Sequence, residues 1–202
     1  MTALVSARLF SGVSSAWRTL RPVSTVLRLR DEQHDDVAAR EALLDASFGL
    51  SRFEKTCERL REGRIAADGL SFVATTGGAV IGTLRFWHVE AGRCESLMLG
   101  PLAVSAEHRS LGIGKALVEH GVSRARKLGH RAIILVGDAP YYAQFGFSRD
   151  TTLGLTLPGP VEEARFLGLE LVPGALALAR GRVVGTGLLL DGRRQDGLRL
   201  AA

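Results

Sequence analysis

The chain has 202 residues, of which 46% are hydrophobic and 23% charged. That is enough for one domain with a full core and too apolar for global disorder. No apolar run approaches the ~20 residues of a membrane-spanning helix. Two isolated cysteines, Cys57 and Cys94, and five histidines at 34, 88, 108, 120 and 130 form neither a disulfide framework nor a zinc-ligand spacing, so no metal and a reducing compartment are expected.

The net charge of +5 is local. Residues 1–30 hold five arginines and no acid, and the remaining 21 basic residues face 21 acidic ones. A neutral body gives no reason to expect a nucleic-acid or membrane partner. Residues 1–23 are rich in Ser and Arg, the composition of an organellar transit peptide, although a plain unstructured extension satisfies it equally. The location expected is cytoplasmic, with a mitochondrial one as the alternative if this segment is a targeting sequence. One domain is expected over 24–190, followed by a frayed polar tail over 191–202.

Along the domain, strand and helix patterns alternate. Thr25–Arg30 reads as a half-buried strand. Asp31 can cap a helix whose apolar positions are Val37, Leu43, Leu44 and Phe48. A second short helix fits Ser51–Arg61, closed by Gly63. Leu70–Thr75 and Val80–Val89 flank a Gly-Gly turn and predict a β-hairpin, which Glu95–Val104 extends into a meander.

A helix follows over Gly112–Leu128, with Ile113, Leu117, Val118, Val122, Ala125 and Leu128 facing inward, and Gly129 caps it. The wholly apolar Arg131–Val136 reads as a buried strand, parallel to the one before the helix because a crossover helix joins them. A short helix then begins near Pro140 and ends at Gly146. Ala164–Val172 reads as a late strand closing the sheet and Arg182–Thr186 as another short strand.

The turn between the third strand of the meander and the long helix, Arg109-Ser110-Leu111-Gly112-Ile113-Gly114-Lys115, carries the most chemistry. Free amides at a helix N-terminus bind anions, and glycines let a phosphate reach the backbone. A Walker A loop is excluded, because Arg109 stands where its first Gly should be and Ala116 follows the Lys. A dinucleotide fingerprint is excluded because Leu117 replaces its third Gly.

Arg109 to Gly114 instead resembles the R/Q-x-x-G-x-G/A signature of the GNAT superfamily of acyl-CoA-dependent N-acetyltransferases, and the resemblance covers most of residues 24–150. It implies an α/β fold with a central mixed, mostly antiparallel sheet of about seven strands flanked by helices, the fourth and fifth strands parallel and splayed. It implies acetyl-CoA as co-substrate, with Arg109, Leu111, Gly112, Ile113, Gly114 and Lys115 at its pyrophosphate, and Leu102 and Val104 along its pantetheine arm. Pro101 cannot donate to a sheet ladder, so Gly100-Pro101 either forms a bulge there or separates two strands.

Tyr142, Gly146 and Phe147 match the family's Y-x-x-x-G-F element, which implies that Tyr142 protonates the departing thiolate. The family's Asn contact to the cofactor is not carried over, since the link before this Tyr is the compact Gly137-Asp138-Ala139-Pro140, and whether Asp138 replaces it stays open. Glu95 and His88 are the candidates for the general base, and a water chain serves equally. A small-molecule or peptide amine is the expected acceptor, and the reading admits a homodimer. The alternative is a non-catalytic CoA or acyl-CoA sensor with the same fold.

Overall fold

The computed structural model describes residues 26–190, so the segments 1–23 and 191–202 singled out above lie outside the described residues. Within that range one sheet organises everything. Its strands are β1 (Arg28–Asp31), β2 (Ser71–Thr76), β3 (Ala79–Ala91), β4 (Cys94–Val104), β5 (Ala132–Val136), β6 (Leu155–Thr156), β7 (Phe166–Glu170) and β8 (Gly181–Gly185). The main path runs β1-β2-β3-β4-β5-β7, and β8 pairs with both β3 and β6. The pairs β4–β5 and β6–β8 are parallel and the others antiparallel. The two-residue β6 is the strand that raises the count from the expected seven to eight.

The meander follows from its turns. Gly77 and Gly78 both have positive φ, 57° and 87°, the geometry of a tight hairpin turn whose twist matches its strands. β3 is long enough to keep β4 on one side throughout while its other side takes β2 over residues 79–85 and β8 over Val89–Ala91.

Four α-helices flank the sheet: α1 (Val37–Phe48), α2 (Glu58–Arg61), α3 (Ile113–Lys127) and α4 (Ala139–Ala143). The expected helix over Ser51–Arg61 is broken. Residues Leu50–Glu54 form a 3-10 turn, and Lys55 is extended before α2 begins. On one face of the sheet Leu84, Phe86, Leu97 and Leu99 pack with Leu117, Val118 and Val122 of α3. On the other, Trp87, Val89, Met98 and Ile134 pack with Leu60 of α2, while α1 lays Leu43 and Leu44 on Ala103. Five of the six inward positions expected for α3 are buried; Leu128 is 48% exposed, because the helix has already ended at Lys127.

Gly121 brings α3 close to the sheet. A Cβ there would lie 2.6 Å from Cε2 of Phe86, which is fully buried and cannot swing aside. Alanine at 121 gains about 1 kcal/mol of helix propensity but overpacks the core at a cost of about 1–3 kcal/mol. The clash should prevail, and Gly121→Ala should lower the stability read from a urea titration.

Candidate active site

The β4–β5 pairing is short. It joins Leu97 to Ile133 and Met98 to Ile134 and stops there, although both strands continue. The reason lies in β4. Between the pairs Leu84–Leu102 and Phe86–Leu99, two residues, Gly100 and Pro101, stand opposite Arg85 alone. That is a β-bulge, and it bends the strand away from β5. Trp87 donates its indole N–H to the Gly100 carbonyl at 2.6 Å, satisfying a group the bulge would leave buried without a partner.

The wedge between the strands opens into a cavity of about 550 Å³. Leu99 to Leu102 form one side, and Val136 to Asp138 with Tyr142 form the other. The roof comes from residues 52–57 and 160–165. The first of these segments is held from behind by ion pairs. Arg40 pairs with Glu32 and Glu41, and Arg52, 9% exposed, pairs with Glu41 and with Asp45 at 2.8 Å. A smaller hollow of about 220 Å³ shares Phe48 and Leu102 with this cavity and continues past Val104 and Arg109 to Gly114 and Tyr141. Together the two make a cleft from the start of α3 to the bulge.

The α3 end of that cleft suits an anion. Gly112 is the N-cap with φ 78°, a left-handed conformation that places α3 close behind the loop, and it offers no side-chain cap. The first backbone bond into the helix is from the Ala116 N–H to the Gly112 carbonyl, so the amides of Ile113, Gly114 and Lys115 keep their donors. A Cβ on Gly114 would lie 3.0 Å from the Tyr141 hydroxyl, while nothing stands within 4 Å of one on Gly112. A pyrophosphate therefore fits, with bare backbone donors, room above Gly112 and partial positive charge from the helix.

The residues nominated for the cofactor divide by what they touch. Leu102, Val104, Arg109 and Gly114 line the hollow. Arg109 reaches back toward the Val104 carbonyl at 3.4 Å. Ile113 is buried in the core, so only its amide can serve, whereas Leu111 is 67% exposed. Lys115 is exposed and 3.8 Å from Glu119.

Tyr142 is placed by α4. Asp138 caps this helix, its Oδ2 accepting the Tyr141 N–H at 3.2 Å. Gly137 lets the Tyr142 ring lie over the end of β5, since a Cβ there would fall 2.2 Å from Cε2. Tyr141, Phe145 and Phe147 surround the ring. Burial, with a smaller contribution from Tyr141, pushes the Tyr142 phenol well above its ordinary range. It is a weaker acid than the sequence suggests and holds its proton throughout the neutral range.

Glu95 and His88 are not brought to Tyr142. Both line a different cavity, of about 620 Å³, together with Asp68, Ser96 and His130. The register explains it. Glu95 lies at the start of β4 opposite Glu90, and at ~3.3 Å per residue it stands about 13 Å down the strand from Leu99. The His88 and His130 rings are 5.5 Å apart, and burial, then His88, lowers the His130 pKa. The carboxylates among the residues described around the bulge cavity are Glu54, Asp138 and Glu162. The sequence reading missed Glu54, Glu162, Cys57, Arg52 and Arg61. They carry no motif that would mark them in the chain.

Residues 35–147 match the Acetyltransferase (GNAT) family model. The chain is 30% identical over 122 residues to the uncharacterized N-acetyltransferase YjhQ of Escherichia coli K12, covering 58% of this chain and 67% of that protein. Among solved structures it is similar to the GNAT family N-acetyltransferase YhbS of Escherichia coli in complex with CoA, with 30% identity, a TM-score of 0.68, and coverage of 79% of this chain and 89% of that one. A GNAT family acetyltransferase of Brucella melitensis in complex with acetyl-CoA gives 27% identity, a TM-score of 0.58, and coverage of 74% and 90%.

Proposed function

The chain belongs to the GNAT acetyltransferase family, and from that premise we propose that it moves an acetyl group from acetyl-CoA to an amine by direct attack. The observation that carries this reading is the continuous cleft from the bare amides of α3, past Phe48 and Leu102, to the β4 bulge and Tyr142. It supports seating a long anionic thioester with its pyrophosphate at Gly112–Lys115 and its reactive end in the wedge.

The amine nitrogen forms a bond to the acetyl carbon, the carbon–sulfur bond breaks, the nitrogen loses a proton and the sulfur gains one. Acetyl-CoA supplies the activated acyl group. Tyr142 lines the wedge and holds its proton; it donates to the sulfur as charge develops there, and the proton it passes to the departing thiol is replaced by the one the nitrogen loses. Glu54, Asp138 and Glu162 stand in the lining among Arg52, Lys55, Arg61 and Arg165, and a carboxylate there offers the nitrogen's proton a route out.

Thiol release from acetyl-CoA, followed with and without a panel of amines, tests the reading. Amine-dependent release with an N-acetyl product by mass spectrometry is the expected result. Acetyl-CoA binding by calorimetry without release for any amine favours the sensor, and absence of binding overturns both.

A further inference from the structure

The bulge cavity contains a cation whose donors are largely unused. Arg61 closes α2, and its side chain is only 10% exposed. Its Nε donates to Glu58 at 2.6 Å, one helical turn back, which balances the charge and fixes the plane of the guanidinium. The two terminal nitrogens make no hydrogen bond among the described residues, and Nη1 reaches within 3.9 Å of where a Cβ on Gly100 would stand. Four N–H donors therefore sit beside the bulge, next to Leu99 and Leu102. These donors open onto the cavity rather than being sealed from solvent, and a carboxylate matches the free edge of a guanidinium with two parallel bonds. Cys57, also in the wall, does not supply that anion, because burial pushes its thiol up.

We infer that the acceptor is a small amino acid with an apolar side chain, its carboxylate seated on Arg61 and its amine beside the bulge. This rests on the acetyl-transfer reading. Arg61 abuts Gly100, in the same bulge to which the attacking nitrogen must come, so acid and amine are only a few bonds apart. Phe48, Leu99 and Val161 leave an apolar wall for the side chain. Glu54 and Glu162, on the exposed side of the lining, are the carboxylates available to the ammonium end, opposite in charge to the Arg61 seat.

The test pairs L-phenylalanine with phenethylamine and L-leucine with isopentylamine, so that each pair differs only in the carboxylate. Thiol-release kinetics on wild type, Arg61→Gln and Arg61→Lys should show wild type favouring the amino acids in kcat/KM by roughly 10²-fold or more. Arg61→Gln should collapse that ratio, mainly through KM for the amino acid, and Arg61→Lys should restore part of it, since it keeps the charge without the fork. Thermal shifts of the CoA-bound protein with the same four compounds report acceptor binding independently of turnover, and should favour the amino acids. The inference is overturned if wild type takes each amine as well as its amino acid, if Arg61→Gln lowers both equally, or if none of the four shifts the CoA-bound protein. If acetyl-CoA itself does not bind by calorimetry, the acetyl-transfer reading falls first and this inference with it.

Discussion

Replacing Gly114 with glutamate should abolish CoA binding and leave the chain folded. Gly114 lies inside α3 with an ordinary helical φ, so a side chain meets no backbone strain. The atom nearest a new Cβ is the Tyr141 hydroxyl at 3.0 Å, the far end of a side chain that can move by a few tenths of an ångström. An acidic residue in the first helical turn also agrees with the helix dipole. What changes is the anion seat. Two unit charges ~4 Å apart interact by about 4 kcal/mol at an effective dielectric of 20, and solvent at this open end reduces that. The glutamate also covers the amides that would bind. Together these predict CoA affinity weaker by roughly 10²-fold or more. Calorimetry with CoA, dephospho-CoA and pantetheine should show the first two lost and the third much less affected. Wild-type affinity in a folded variant would reduce the glycine turn to a turn.

The second large effect is expected at Tyr142. Phenylalanine keeps the ring that Phe147 contacts at 5.7 Å and Phe145 at 6.2 Å, so the thermal midpoint should barely move. Only the hydroxyl goes. Turnover should fall by roughly 10²-fold or more, the lower range for a positioned proton donor, with acetyl-CoA affinity within a few-fold of wild type. Because the folded pKa is raised, the phenol stays protonated as pH rises through the range where an exposed tyrosine ionises. The wild-type rate should therefore show no fall near pH ~10 from loss of this proton. Equal turnover by variant and wild type would remove Tyr142 from the chemistry.

What the sequence discloses here is local. The Gly77-Gly78 turn, the start of α3 at Gly112 and the bulge at Gly100-Pro101 are written in residues whose backbone options are few, and the structure has all three. The wedge between β4 and β5 follows from the bulge. The wall opposite it does not follow from anything local. Lys55 interrupts the expected helix over 51–61 because residues 52–57 are fixed by contacts from elsewhere, such as the Arg52 ion pairs to α1 and the Thr56 hydroxyl bonded to the Pro160 carbonyl at 2.6 Å. Arg61 is visible in the chain only as one more arginine. Where Glu95 lies relative to Tyr142 is not legible, because membership of β4 does not say which end of that strand meets Tyr142, and register decides it.

The placement of β8 bears on how the chain is made. This strand docks on Val89–Ala91 in the middle of the sheet, with Gly185 close against the Leu60 carbonyl and the Arg180 backbone close against Gly92. Of its two partners, β3 emerges early in synthesis and β6 only shortly before β8 itself. On the ribosome the N-terminal meander can assemble as it appears, but that half of β3 keeps an open edge until residue 185 is released. Such distant pairing is slow to find, so the nascent protein passes through a stage in which the Val89–Ala91 edge of β3 has no strand beside it.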